Sequence, residues 1–329
     1  MGPRVASGAS RTTVAGREPS AGTILSVAIG IGLVLVALVV YSISKPYRFY
    51  DHFEWQAAAF LEGQTAIRYP VEASATNPGN AFFQDVMEVP SSDGVPRAVI
   101  PFPPLPAVVL VPFVAAFGHD ADGQLVFAII GALDVGVAWW LLGRLPVRRR
   151  VRVLGTVFFA FGTVFWYAAQ LGTTWYQAHV LAVGLAMLAI GLAIGGDPDS
   201  AEDEDEDDLP DPGPSPGERR PDERRPAGAG ALGSIGGRLR VGLDRRQLLA
   251  GLLFGLACTS RLTIVFAAPF FLLVGTGGSW QRRGLSAAVG AAIPLVALVL
   301  YNVAATGDPF NPAYDHLYRL EASFYTPLN

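Results

Sequence analysis

The run TILSVAIGIGLVLVALVVYSI, Thr23–Ile43, carries no charge and matches the roughly 20 apolar residues that a helix needs to cross a bilayer core. Similar runs recur at Gln124–Leu142, Val151–Gln170, Thr174–Ile194 and Leu285–Val303. In lipid every backbone N–H and C=O must find a partner inside the protein, which leaves helices for a chain of this pattern. The predicted fold class is therefore an all-α integral membrane protein, a multi-span helical bundle. Composition agrees: 51% of residues are hydrophobic and 16% charged, against about 25% charged in soluble domains. Thr23–Ile43 is too long for the apolar part of a signal peptide and is read as an uncleaved first span.

Charge sets the orientation. Residues 197–246 hold 14 acidic and 8 basic residues, which leaves 14 acidic and 16 basic for the rest of the chain, so the net charge of −4 comes from one segment. Neither part has the basic excess of a nucleic-acid binder. Arginines cluster at 144–152, 219–246 and 282–283, and cytoplasmic loops are enriched in Lys and Arg. Keeping all three clusters inside puts one span between residues 44 and 144, and an even number of crossings within 247–275. The second requirement implies a short hairpin turning near Cys258–Arg261. The proline-rich VIPFPPLPAVVLVPFVAAFG, Val99–Gly118, then becomes an interfacial or re-entrant helix on the outer face.

Four regions follow. Residues 1–22 form a disordered cytoplasmic tail. Residues 23–195 form an N-terminal membrane region with a large outer loop, 44–123, carrying interfacial helices. Residues 196–246, with EDEDEDD and Pro/Gly/Arg-rich sequence, form a disordered charged cytoplasmic linker. Residues 247–329 form a C-terminal membrane region with an outer tail. The chain is thus expected to be a multi-pass protein of the cell membrane. GAGALG, Gly228–Gly233, has a dinucleotide-loop spacing but no strand before it, so no such site is expected.

The segment after the first span, YRFYDHFEWQAAAFLEGQ, places Asp51, His52 and Glu54 where a helix leaves the lipid. Phe53, Ala57, Phe60 and Leu61 share one helical face; Asp51, Trp55, Ala58 and Glu62 share the opposite one. The pattern predicts an amphipathic helix on the membrane surface. Asp51 and Glu54 have the spacing of an N-terminal capping box. Asp51 is equally a carboxylate at headgroup depth, suited to act as general base on a hydroxyl. Asp85, in FFQDVMEVP, is either a turn residue or a substrate contact. Arg261 interrupts an apolar run, a position that marks function, and its guanidinium suits a phosphate; pairing with a carboxylate such as Asp134 is the alternative. His179, beside Trp175 and Tyr176, is either a packing residue or a substrate contact. Gly251 and Gly255 have the small-xxx-small spacing of close helix packing. The histidines and acids show no metal-ligand spacing, and no metal or other cofactor is expected.

FYDHFEWQAAAFLEGQ, FFQDVM and PFPPLPAVVLVPFVAAFG, followed by QLGTTWYQAH, AGLLFGLACTSRLTIVFAAPFF and YNVAATGDPFNPAYDH, resemble the GT-C-type membrane glycosyltransferases in order and spacing. That superfamily includes the protein O-mannosyltransferases and the lipid A aminoarabinose transferases. The likeness spans residues 23–195 and 247–329. It implies a polyprenyl-phosphate-linked sugar donor, a lipid, glycan or protein acceptor, and transfer at the outer face of the membrane. It further implies that the acid just after the first span, Asp51, is the catalytic base; from their own positions and chemistry, Arg261, His179, Asp85, His52 and Glu54 are the residues expected around donor phosphate or substrate. The mannosyltransferase branch has Asp-Glu where this chain has Asp51-His52, which leaves the second position's role open. In the resembling proteins more helices follow LEASFYTPLN, so the chain is expected to be a truncated form. The rival expectation is a polytopic transporter or lipid flippase, which predicts charges along several spans; only Asp134 and Arg261 are embedded.

Overall fold

The computed structural model describes residues 20–45, 50–75, 77–91, 94–195, 243–276 and 279–316. The expectations of a disordered tail over residues 1–19, a disordered linker over 196–242 and an outer tail beyond 316 lie outside the described residues.

Helix α1, Ala21–Ile43, begins at Ser20, whose Oγ accepts from the Thr23 N–H at 3.2 Å. It starts slightly before the expected span because Ser20 supplies the acceptor that the first turn needs. Helix α4 (Gly123–Leu142) packs beside it, and α7 (Thr174–Ile194) packs against α4. Between α4 and α7, Val151–Gln170 is not one straight span. It is two helices, α5 (Arg149–Phe161) and α6 (Val164–Leu171), meeting at 51°. The break falls at Gly162-Thr163: Thr163 leaves helical geometry and its Oγ1 accepts from Phe165 N–H, starting a new helix.

Helix α8 (Arg245–Ser260) ends at Arg261. The chain then returns through a 3-10 turn, Leu262–Ala267, and helix α9, Ala268–Leu273. Gln247 closes this hairpin at its base, its Nε2 donating to Thr276 O at 2.6 Å and to Ala193 O at 3.0 Å. The expected turn near Cys258–Arg261 is therefore present. The expected linker boundary moves, because Asp244 caps α8 by accepting from Gln247 N–H at 2.9 Å, which draws Arg245 and Arg246 into the helix. Helix α10 (Trp280–Thr306) runs parallel to α8, Asp244 N–H meeting Ser286 Oγ near the two helix starts and Gly255 facing Ala291 and Pro294 further along. A Cβ built on Gly251 would lie 2.0 Å from Ala287 O, and one on Gly290 2.0 Å from Leu248 O, so these glycines set the closest approach in the bundle.

Four described helices, α1, α4, α7 and α10, are long and apolar enough to cross a membrane, and α5 with α6 makes a fifth if the bent pair is one span. Ile24, Val27, Ile31, Leu35 and Val39 on α1, like Ile293, Val296 and Leu300 on α10, are exposed, as a lipid-facing surface requires. The protein is a membrane-embedded helical bundle.

The bundle has two distinct ends. At one, Gly191 lies against Trp140, Gly195 against Arg246 and Thr276, and Asp244 N–H donates to Ser286 Oγ, so the arginines of 144–152, 245–246 and 282–283 share that end. At the other, residues 50–122 form a cap. Helix α2, His52–Leu61, packs on α3, Leu105–Phe117. Between them in sequence comes a small antiparallel sheet, β1 (Ile67–Arg68), β2 (Met87–Val89) and β3 (Arg97–Val99), in the order β1-β3-β2, with β1 against α2. Lys45 pairs with Asp122, joining the exit of α1 to the start of α4. The cap is tied to α10, since Gln56 Nε2 donates to Tyr301 Oη at 2.7 Å and Tyr301 Oη donates to Thr65 O at 3.2 Å.

Two expectations for α2 are corrected. It is not an amphipathic surface helix: every residue from His52 to Ala57 is buried, while Leu61, assigned to the apolar face, is exposed. The sheet and α3 cover the face that would otherwise meet water. Nor is Asp51-x-x-Glu54 a capping box, because the Asp51 carboxylate makes no cap bond; the Asp51 carbonyl accepts from Glu54 and Trp55 N–H instead.

Candidate functional site

Where α2 begins, α7 also begins and the α8 hairpin turns. His52 is wholly buried and holds these pieces together. Its Nε2 lies 2.6 Å from Asp85 Oδ1, and its Nδ1 lies 2.9 Å from Thr174 Oγ1. An ionised Asp85 can only accept, so Nε2 carries a proton; in the neutral imidazole, Nδ1 then accepts from the Thr174 hydroxyl. The ring stacks on Phe83 at 3.7 Å and meets Phe102 edge-on. Such a ring has little freedom to turn, and it fixes residue 51 on one side and the first turn of α7 on the other.

Asp51 is only 7% exposed, and Glu54 is 1% exposed one turn along α2. Tyr50 meets Trp175 edge-to-face at 5.2 Å, and the Trp175 carbonyl accepts from Arg261 Nη1 at 3.3 Å. Arg261 thus stands half-buried at the hairpin turn, at the cap end of the bundle. Among the described ion pairs it has no carboxylate partner, and the alternative of pairing with Asp134 is not seen. His179 lies one turn beyond Trp175 on α7, half-buried.

The sequence candidates therefore divide into two groups. His52, Asp85 and Arg261 are linked by contacts through Thr174 and Trp175, with Asp51 next to His52 in the chain and His179 alongside. Glu54 belongs to the buried interior of the cap. Asp134 is deep in α4, facing Gly184 of α7, where a Cβ would come within 1.9 Å of its Oδ1. Its Oδ2 has no hydrogen-bond partner among the described residues.

Three residues at this place were not singled out from the sequence. Thr174 is wholly buried, and its hydroxyl completes the His52 bridge. Thr173, the N-cap of α7, and Gln177, four residues on along the same face, are both buried, and their side-chain polar atoms lack partners among the described residues. QLGTTWYQAH displays all three, but nothing local tells a buried Thr or Gln from a membrane-boundary one. Among the described residues no group of three or more His, Cys, Asp or Glu is placed to hold a metal ion.

No known family model, curated protein or solved structure matches the chain.

Proposed function

We propose that the chain is a glycosyltransferase of the GT-C type, moving a sugar from a polyprenyl-phosphate donor to an acceptor hydroxyl at the outer face of the membrane. The observation that carries this reading is the continuity from Asp51 through His52, Thr174 and Trp175 to Arg261: a sheltered carboxylate and a guanidinium share one end of a lipid-embedded bundle. In this mechanism the acceptor oxygen attacks the anomeric carbon while Asp51 takes its proton. The bond from that carbon to the phosphate oxygen breaks, and the phosphate leaves with the electron pair. Arg261 holds the departing phosphate through charge-assisted hydrogen bonds, with His179 as a second contact. Asp85 and Thr174 act through His52, positioning Asp51. The donor's tail stays in lipid throughout, which explains a site beside the exits of α1 and α8. The arginine-rich end then faces the cytoplasm, in line with the distribution of positive charge.

The test is turnover of a polyprenyl-phosphate sugar in proteoliposomes. Asp51→Asn is expected to lower kcat by about 100-fold or more, the range for removing a general base. Wild-type turnover in that variant contradicts the assignment.

A further inference from the structure

Along the same face of α2 as Asp51, one turn further on, the cap contains a cleft of about 150 Å³. Trp55, Glu62, Arg68, Asn77 and His119 supply its polar groups, and Ala58, Ala59 and Val71 its apolar wall. It is separate from the His52 bridge, sharing no residue with it. Two of its groups are unexplained by the fold. Trp55 is 4% exposed, yet its Nε1–H has no partner among the described residues. His119 lies against the Trp55 ring at 4.2 Å, and its buried Nδ1 is also without a described partner. Buried polar atoms are rarely left so. The one carboxylate and the one guanidinium of the lining answer each other, Arg68 Nη2 lying 2.9 Å from Glu62 Oε1, so the cleft offers no cationic excess to an anion. Asn77 uses its Oδ1 on Gly79 N–H, which turns its NH₂ into the available donor.

We propose that this cleft binds a single carbohydrate ring, and that it is the acceptor subsite. The proposal rests on the glycosyl-transfer reading for the word acceptor, but not for the binding of a sugar. A sugar hydroxyl both donates and accepts, which matches a lining that mixes indole N–H, amide N–H, imidazole and a paired carboxylate. The sugar's C–H face suits the small apolar wall, as in ligand sites generally, where a few convergent polar groups orient the ligand. Asp51 stands at the end of the cleft's helix, where a hydroxyl of a longer glycan bound here would arrive.

The test uses the full chain in nanodiscs and saturation-transfer NMR with methyl glycosides of a hexose, an N-acetylhexosamine and a pentose. At least one glycoside is expected to bind without any polyprenyl donor. Trp55→Phe keeps the ring but removes the N–H, and should weaken binding roughly three- to tenfold, the worth of one hydrogen bond. Arg68→Gln, at an exposed side chain, should weaken it similarly and guards against a folding defect in the first variant. No glycoside binding, wild-type affinity in both variants, or binding of inorganic phosphate in place of the glycosides overturns the proposal. Glycoside binding without donor turnover sinks the transfer reading alone. Turnover without glycoside binding sinks the cleft alone.

Discussion

At the scale of single residues, the cap is governed by a few buried polar contacts. Removing the acceptor in Asp85→Ala leaves the His52 Nε2–H buried and unpaired, at a cost of about 1–3 kcal/mol. Because Asp85 and Thr174 meet the same ring, Asp85→Ala and Thr174→Val should couple in a double-mutant cycle by about 0.5 kcal/mol or more in chemical denaturation. Additive effects would separate the two contacts. His119 gives the pH dependence. Burial pulls its imidazole below the ordinary value of 6.5, while the charges of Glu62 and Asp120 oppose that shift. The folded protein therefore binds this proton less readily than the unfolded chain. Stability is full above the unfolded value and falls as the pH drops through 6.5 toward the lower folded value. The melting temperature of His119→Gln should fall less between neutral and mildly acidic pH than that of wild type. Asp51, His52, Asp85 and Arg261 were legible as residue types in polar or interrupted patterns. That His52 bridges Asp85 and Thr174 was not, because the bridge joins positions 33 and 122 residues away.

At the scale of elements, apolar run length and the positions of arginine made the bundle readable. α1, α4, α7 and α10 lie where unbroken apolar sequence demands a span, and the turn at Arg261 follows from placing Arg245–Arg246 and Arg282–Arg283 at one end. What the sequence hid depends on contacts between distant segments. α2 shows a helical amphipathic pattern, but α3 and a three-stranded sheet of very short strands bury it nearly all round. Strands this short carry too few residues for alternation to stand out. The Gly251–Gly255 pair was legible as close packing, and its partner is α10. Gly251→Leu drives a side chain into the Ala287 carbonyl, which cannot rotate away, and should destabilise the bundle on the order of 1–3 kcal/mol. Leu substitution at Gly32, where a Cβ meets nothing within 4 Å, is the matched control and should leave the melting temperature near wild type.

For the whole molecule, the architecture separates an arginine-rich end from a polar-lined cap, and the account puts the chemistry at the cap. Replacing the single buried cysteine by Cys258→Ala gives a background for single-cysteine labelling. Glu72→Cys, exposed on the cap, should react with an impermeant maleimide in intact cells, and Arg148→Cys, exposed at the opposite end, only after permeabilisation. The reverse pattern would place the site in the cytoplasm. The most direct measurement of the central claim is native mass spectrometry of the purified chain with polyprenyl-phosphate sugars. The account predicts a donor adduct on wild type and on Asp51→Asn, and its loss on Arg261→Ala, because one residue holds the phosphate and the other moves the proton. No adduct on wild type, or an equal adduct on Arg261→Ala, contradicts it.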